Sequence, residues 1–295
     1  MLRRVQEYIR RQELLGDGAK VLVCVSGGAD SVALLDVLQR GGYACVAVHC
    51  NFHLRGAESE RDEAFVRELA ERRGVKLRVQ SFETERYAEE RHQSIEMAAR
   101  ELRYRWFEEV AREEGCTAIA VAHHQNDQAE TVVMNLLRGA GLRGLAGMRA
   151  KSVNPVTGGE PMIIRPLLCT THEYIVHYLR DIRKIAWVED STNSDTSIKR
   201  NGIRAWLNER SKGEIENICA TAAYMQGYAD EQDGVRSRAR ELVELYEQLK
   251  AYQPKEVEAI YEAMQRGESG KRFELNGATV VVKKHKYQLV QNDPK

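Results

Sequence analysis

The chain has no surplus charge of either sign: 44 lysines and arginines balance 44 aspartates and glutamates over 295 residues. That balance argues against a generally polybasic protein of nucleic acids or membrane surfaces, so any basic binding face must be local. Nowhere do about 18 apolar residues run together, which leaves no candidate membrane-spanning helix. The opening MLRRVQEYIRRQELLGDG carries arginines but no continuous apolar stretch. No secretory signal is read there, and a cytoplasmic protein without a membrane partner is expected. The six cysteines contain no C-x-x-C pair, and the closest two, Cys45 and Cys50, lie on one expected strand. At about 3.3 Å per residue they are roughly 16 Å apart, beyond disulfide or shared-metal reach, so reduced thiols are expected. The signatures G-x-x-x-x-G-K-[ST] and G-x-G-x-x-G are both missing, which argues against an ordinary P-loop NTPase and a dinucleotide fingerprint. Internal repeats and low-complexity tracts are also lacking.

What is present is alternation. After an amphipathic first helix with Leu2, Val5 and Ile9 on one face, five apolar runs follow: KVLVCV, ACVAVHC, VKLRVQSF, TAIAVAH and MIIRPLL. Helical patterns separate them, and Thr170 with Glu173 could open the helix after the fifth as a capping box. Short continuous apolar strands between helices imply a mainly parallel sheet covered on both faces. The fold class expected is a doubly wound α/β domain with a five-stranded sheet. KSVNPVTGGE reads as a surface loop within it. Near residue 210 the alternation stops and long helical patterns take over, ending in FELNGATVVVKKHKYQLV, where Asn-Gly between β-prone runs reads as a hairpin. The boundaries expected are 1–209 for the α/β domain and 210–295 for a smaller, mostly helical one.

Open α/β sheets bind ligands at the carboxyl ends of their strands, and SGGADS stands at the end of the first. Gly27 and Gly28 allow a turn that aims backbone N–H groups at one point, and the helix from Ser31 adds its positive end. Such a turn suits phosphate. SGGADS resembles the SGGxDS loop of the PP-loop ATP pyrophosphatases. VHCNFHLRGAES, EMAARELRYRWFEE, AHHQNDQAET, NLLRGAGLRGLAGM, IIRPLL and EDSTNSDTSIKRNGIR resemble, in order, the blocks of the tRNA(Ile)-lysidine synthetase family, over about residues 20 to 207. The helical remainder is similar to that family's first C-terminal domain, more weakly.

The resemblance implies ATP and Mg²⁺, free L-lysine, and a tRNA(Ile) with a CAU anticodon whose wobble cytidine becomes lysidine. It implies an ATP site at Ser26, Gly27, Gly28, Ala29, Asp30 and Ser31, with His49 and Asn51 beside it. In AHHQNDQAET, Asp127 and Glu130 lie one turn apart on a helix beginning after His123 and His124. An imidazole with carboxylates at a strand's carboxyl end suits Mg²⁺ and triphosphate, and Asp30 and Asp127 are the expected metal ligands. Capping by Asp127 is the alternative. The family commonly has an acid where this chain has Asn126. Asp30, His123, Asp127 and Arg200 form the expected catalytic set, with His124 read as structural. Arg200 and Arg204 share a helical face suited to oxyanions, or to solvent. His53, Arg55, Glu130, Arg138, Gly139 and Arg204 are expected to meet the substrate, and His49 also reads as a satisfied core residue. The basic stretches 236–240 and 283–286 are candidate RNA contacts or charged surface. Tyr104, Trp106 and Phe107 are expected in the core. The competing readings are a PP-loop tRNA thiolase, a small-molecule synthetase and a non-catalytic nucleotide-binding protein; the sequence leaves a homodimer open.

Overall fold

Strands that are apolar on both sides must be sandwiched between helices, and the computed structural model has that arrangement. It describes residues 1–189, 199–249, 253–275 and 278–291. A six-stranded sheet has the order β3-β2-β1-β4-β6-β5, built from β1 (Lys20–Cys24), β2 (Ala44–Asn51), β3 (Lys76–Ser81), β4 (Ala118–Ala120), β5 (Lys151–Ser152) and β6 (Met162–Ile164). Five strands run parallel, as the alternation implies. The sixth, β5, pairs antiparallel with β6 and comes from the stretch read as loop. Its two residues cover the edge that β6 would otherwise expose.

Alternate strand residues face opposite layers. Val21, Val23, Ala47, Ala120 and Ile164 pack with α1 (Leu2–Arg11), α2 (Ala29–Arg40) and α3 (Ala57–Arg73). Leu22, Val46, Val48, Ile119 and Ile163 face the other way, where Tyr104, Trp106 and Phe107 of α5 (Ile95–Glu113) are buried as core. α4 (Thr84–Glu90) precedes α5. The chain builds outward from β1 through β2 to β3, then returns to the other side of β1 as β4. The order therefore reverses between β1 and β4, and the loops leaving those two strands face each other across the crevice where such sheets bind ligands.

Beyond β4 come α6 (Gln125–Leu137), α7 (Leu142–Leu145), α8 (His172–His177), α9 (Lys199–Asn208), α10 (Lys212–Gln248) and α11 (Pro254–Gln265). The cap of α8 is Thr171, not Thr170: its side chain accepts from the Tyr174 N–H, 3.3 Å. The Thr170 carbonyl accepts instead from the Gln125 N–H. The last turn of this segment is a π-turn at residues 178–183.

Two compact units divide inside α10, after Gln226, later than the change in sequence character at 210. The reason is packing: Ile215 is buried with Leu207 and Ala129, so the start of α10 packs with α6 and α9 of the first unit. In the second unit, Leu245, Leu249, Val257, Ile260, Leu275 and Val280 form a separate core. The expected hairpin gains a strand there, giving the antiparallel order β7 (Arg272–Leu275), β8 (Ala278–Lys283), β9 (Lys286–Gln291). The Asn-Gly turn at 276–277 lies outside the described residues. Among the described residues, no helix is long and apolar enough to cross a membrane.

Candidate active site

Three connections converge at the crevice: the turn after β1, the entry to α6 after β4, and the start of α8 after β6. In the first, Gly27 takes φ +99°, a conformation costly for any side-chain-bearing residue. Ser31 Oγ, buried beneath the turn, accepts from the N–H groups of Ser26 (3.1 Å) and Gly27 (3.2 Å) and donates to the Gly28 carbonyl (2.9 Å). Ser31 is thus the internal brace of the turn. No side chain caps α2 at Gly28, so the helix start is presented to the crevice with Asp30 in its first turn. His49 is buried, with Nδ1 2.8 Å from the Val25 carbonyl, and so steadies the strand end just before the turn.

Asp30 is the centre of the constellation. Its Oδ1 lies 2.9 Å from His172 Nδ1 and its Oδ2 3.5 Å from His124 Nε2. Burial alone would raise its pKa, but the hydrogen bonds and charges of the two imidazoles outweigh that and hold it well below the ordinary carboxylate value. His124 is buried, and its Nε2 is also 3.5 Å from Asp127 Oδ2. Burial disfavours its charged form, while Asp127 and Asp30 more than compensate and raise its pKa. The Asn126 N–H donates to His124 Nδ1, which turns Nε2 toward the two carboxylates.

Asp127 does cap the helix, its Oδ2 accepting from the His124 N–H at 3.0 Å. Its Oδ1 faces Arg204 Nη2 at 3.9 Å. Arg204 Nε donates to Glu130 Oε1 at 2.7 Å, and Glu130 is only 2% exposed. Burial lowers the Arg204 pKa, but Glu130 and Asp127 raise it by more. The α9 helix is thereby fastened to α6 beside the crevice. Arg200 lies on α9, but its side chain falls outside the described residues, as do those of 236–240.

The structure thus brings together Asp30, Asp127, Glu130 and Arg204 of the residues singled out in the sequence, and adds His124 and His172. His123 is half-buried on the same connection, and the contact with Asp30 is made by His124, read from sequence as structural. Asn126 has a structural task, its Oδ1 accepting from the His172 N–H at the start of α8. Asn51, His53 and Arg55 engage carboxylates of α3. Asn51 donates to Glu60 and Glu63, His53 Nδ1 is 3.1 Å from Glu60, and Arg55 Nη2 is 2.8 Å from Asp62. Arg138 and Gly139 close the far end of α6. At 1.5 Å per residue they stand roughly 16 Å along the helix from Asp127, within reach of a large substrate only. His172 was the residue sequence reasoning missed, and its one signal was an imidazole following a carboxyl-end turn after the fifth strand.

The oxygen donors suit a hard divalent cation. Asp30 and Asp127 present carboxylate oxygens on either side of His124, and Asp30, His124 and His172 offer ligand atoms all within 4.8 Å of one another. Mg²⁺ takes few protein ligands and completes its shell with water and phosphate oxygens, which this arrangement allows.

Residues 2–211 match the family model described as PP-loop domain. The tRNA(Ile)-lysidine synthase of Bacteroides thetaiotaomicron is 52% identical over 201 residues, 68% of this chain and 45% of that protein. That of Porphyromonas gingivalis strain W83 is 50% identical over 231 residues, 77% of this chain and 49% of that protein. The chain spans about half the length of these curated relatives. Among solved structures, the U34-tRNA thiolase NcsA from Methanococcus maripaludis with its 4Fe-4S cluster aligns with a TM-score of 0.60 at 18% identity, over 76% of this chain and 79% of that one. That likeness concerns the fold alone. With the family match running from α1 through α9, the chain belongs to the PP-loop domain family.

Proposed function

We propose that the protein uses ATP to join lysine to C2 of the wobble cytidine of a CAU-anticodon tRNA(Ile), releasing AMP and pyrophosphate. The observation that carries this reading is the coincidence of two things: about 50% identity to tRNA(Ile)-lysidine synthases over two thirds or more of the chain, and a polar constellation at the mouth of the glycine turn inside the PP-loop domain. The turn and the start of α2 receive the phosphates of ATP. The C2 carbonyl oxygen of cytidine attacks the α-phosphorus, and pyrophosphate leaves. The lysine ε-amine then attacks C2, the C2–O bond breaks, and AMP departs with that oxygen.

Asp30 and Asp127 would hold Mg²⁺, which when bound neutralises charge building up on the phosphates. Arg204, held by Glu130, adds a fixed positive charge to the same wall. Lysine's amine has a reference pKa near 10.4, so only about one molecule in 10³ is neutral at pH 7 and a base must take its proton. Asp127 and His123 are the candidates on the α6 connection. The cytidine must be drawn out of its stack to reach them.

Sulfur transfer from the same fold is disfavoured by the thiols. Burial pushes Cys45, Cys50 and Cys219 up to about 12 and Cys169 up to about 11, opposite to what a nucleophilic cysteine needs, and the sequence has no C-x-x-C pair. The test is radiolabelled lysine incorporation into a CAU transcript and into one with the wobble C changed to U. Label in the first alone is expected; label in both or neither overturns the reading.

A further inference from the structure

Asp36 has no part in the chemistry above, yet its carboxylate is bonded by Arg73, Arg183 and Tyr178. It lies six residues beyond Asp30 on α2, about 9 Å along the axis, and is fully buried. Arg73 Nη1, from the end of α3, donates to its Oδ1 at 2.7 Å. Arg183, closing the π-turn at 178–183, donates to both oxygens at 3.1 Å. Tyr178 OH donates to Oδ2 at 2.5 Å and accepts from Arg40 Nη1 at 2.9 Å. One side chain of α2 therefore ties down two separate elements.

Those same two elements form the walls around Gly27. From α3, Phe65 and Val66 come so close that a Cβ placed on Gly27 would meet each at 3.5 Å. From the segment after the π-turn, Val188 would meet it at 3.6 Å, and the Val188 N–H donates to the Gly27 carbonyl at 2.9 Å. Between the π-turn and Val188 the chain is short and anchored: Ile185 N–H bonds the Leu179 carbonyl, and Ile185 and Trp187 pack on the core. Arg183 is thus joined to Val188 by a short anchored segment, and Arg73 stands on the helix that bears Phe65 and Val66.

We propose that Asp36, through Arg183 and Arg73, is a positioning residue that sets the peptide planes of the glycine turn for the triphosphate. The proposal rests on the reading of that turn as the ATP site. A guanidinium is chosen for the task because it stays charged and fixes two bonds in one plane, so the clamp holds at all working pH values.

The test measures equilibrium binding of ATP with Mg²⁺ to the full chain without tRNA, and then KM and kcat for pyrophosphate release. Arg183→Met should weaken ATP binding and raise the KM for ATP about ten-fold, with the KM for lysine and tRNA unchanged. Arg183→Lys should recover part of the loss. Val188→Pro, which deletes the N–H that bonds Gly27, should give the same defect, and adding Arg183→Met to it should change ATP binding little further, because both act through one link. A merely structural clamp would lower melting temperature and active fraction while leaving ATP affinity unchanged, and that result overturns the proposal. Additive effects of the two substitutions overturn it as well. Failure of the unaltered chain to bind ATP would overturn the reading of the turn itself, and is told apart by that control.

Discussion

Asp30 and Asp36 stand on one helix, less than two turns apart, and have been given opposite surroundings. Asp36 is fully buried and saturated by guanidiniums that never lose their charge. Asp30 is partly open to the crevice, its side chain 31% exposed, and its partners are two imidazoles, the buried His124 and the half-exposed His172. The first arrangement makes a fixed joint. The second suits the proposed site, because a carboxylate open to the crevice and paired with neutralisable imidazoles can also meet a metal ion. A buried ion pair adds little to net stability, but removing one partner leaves the other charge stranded, so the two aspartates should fail in different ways.

The largest contrast should come from Asp30→Asn. Pyrophosphate release should fall by about 10³-fold with the melting temperature nearly unchanged, as read by steady-state turnover beside a thermal melt. Asp36→Asn should act on the fold as well, costing about 3–5 kcal/mol in urea unfolding because two arginines lose their counter-charge, while the molecules that stay folded bind ATP about ten-fold more weakly. Its pH dependence has a definite sign. Burial alone would raise the Asp36 pKa, but Arg183, Tyr178 and Arg73 more than offset that and hold it below the ordinary 3.8. The folded-state value is therefore the lower one, and the stabilisation is present above pH 3.8 and lost as pH falls through the folded pKa. Urea midpoints of the unaltered chain and of Asp36→Asn should accordingly differ by a constant amount near neutrality and converge below pH 3.8.

A smaller effect is expected at His172. His172→Ala removes one of the two imidazoles on Asp30 and should lower turnover about ten-fold without disturbing the fold, since the ring is half exposed. An unchanged rate would mean that His124 alone orients Asp30. Smallest of all should be Asn126→Asp. The oxygen that accepts from the His172 N–H is kept, so turnover should stay within about threefold and stability within about 0.5 kcal/mol. A large gain in activity would instead make this position a ligand for the cation.

The contrast also shows what a sequence discloses. Five apolar runs separated by helical patterns are a local signal, and so is a glycine pair bracketed by serines, which is why the parallel sheet and the turn were both legible. The partners of Asp30 depend on the strand order. Because β6 lies beside β4, the start of α8 is brought to the turn after β1, and no spacing links Asp30 to His172 across 142 residues. His123 and His124 are consecutive at a strand end and so point to different sides; which one faces the crevice depends on the register of β4. Asn51, His53 and Arg55 were polar at the right edge of the sheet, but α3 supplies the carboxylates that engage them, and a helix face cannot be weighed against a ligand from spacing alone. The two-residue β5 carries too little pattern to be read at all.

The most direct test follows one oxygen atom. A CAU transcript would be made with ¹⁸O at the C2 carbonyl of the wobble cytidine and incubated with the purified chain, ATP, Mg²⁺ and lysine. If the site transfers AMP to that oxygen before lysine displaces it, the label will appear in the phosphate of released AMP and be absent from pyrophosphate. Unlabelled AMP alongside lysine-bearing RNA, or ADP and phosphate as the products, would contradict the account.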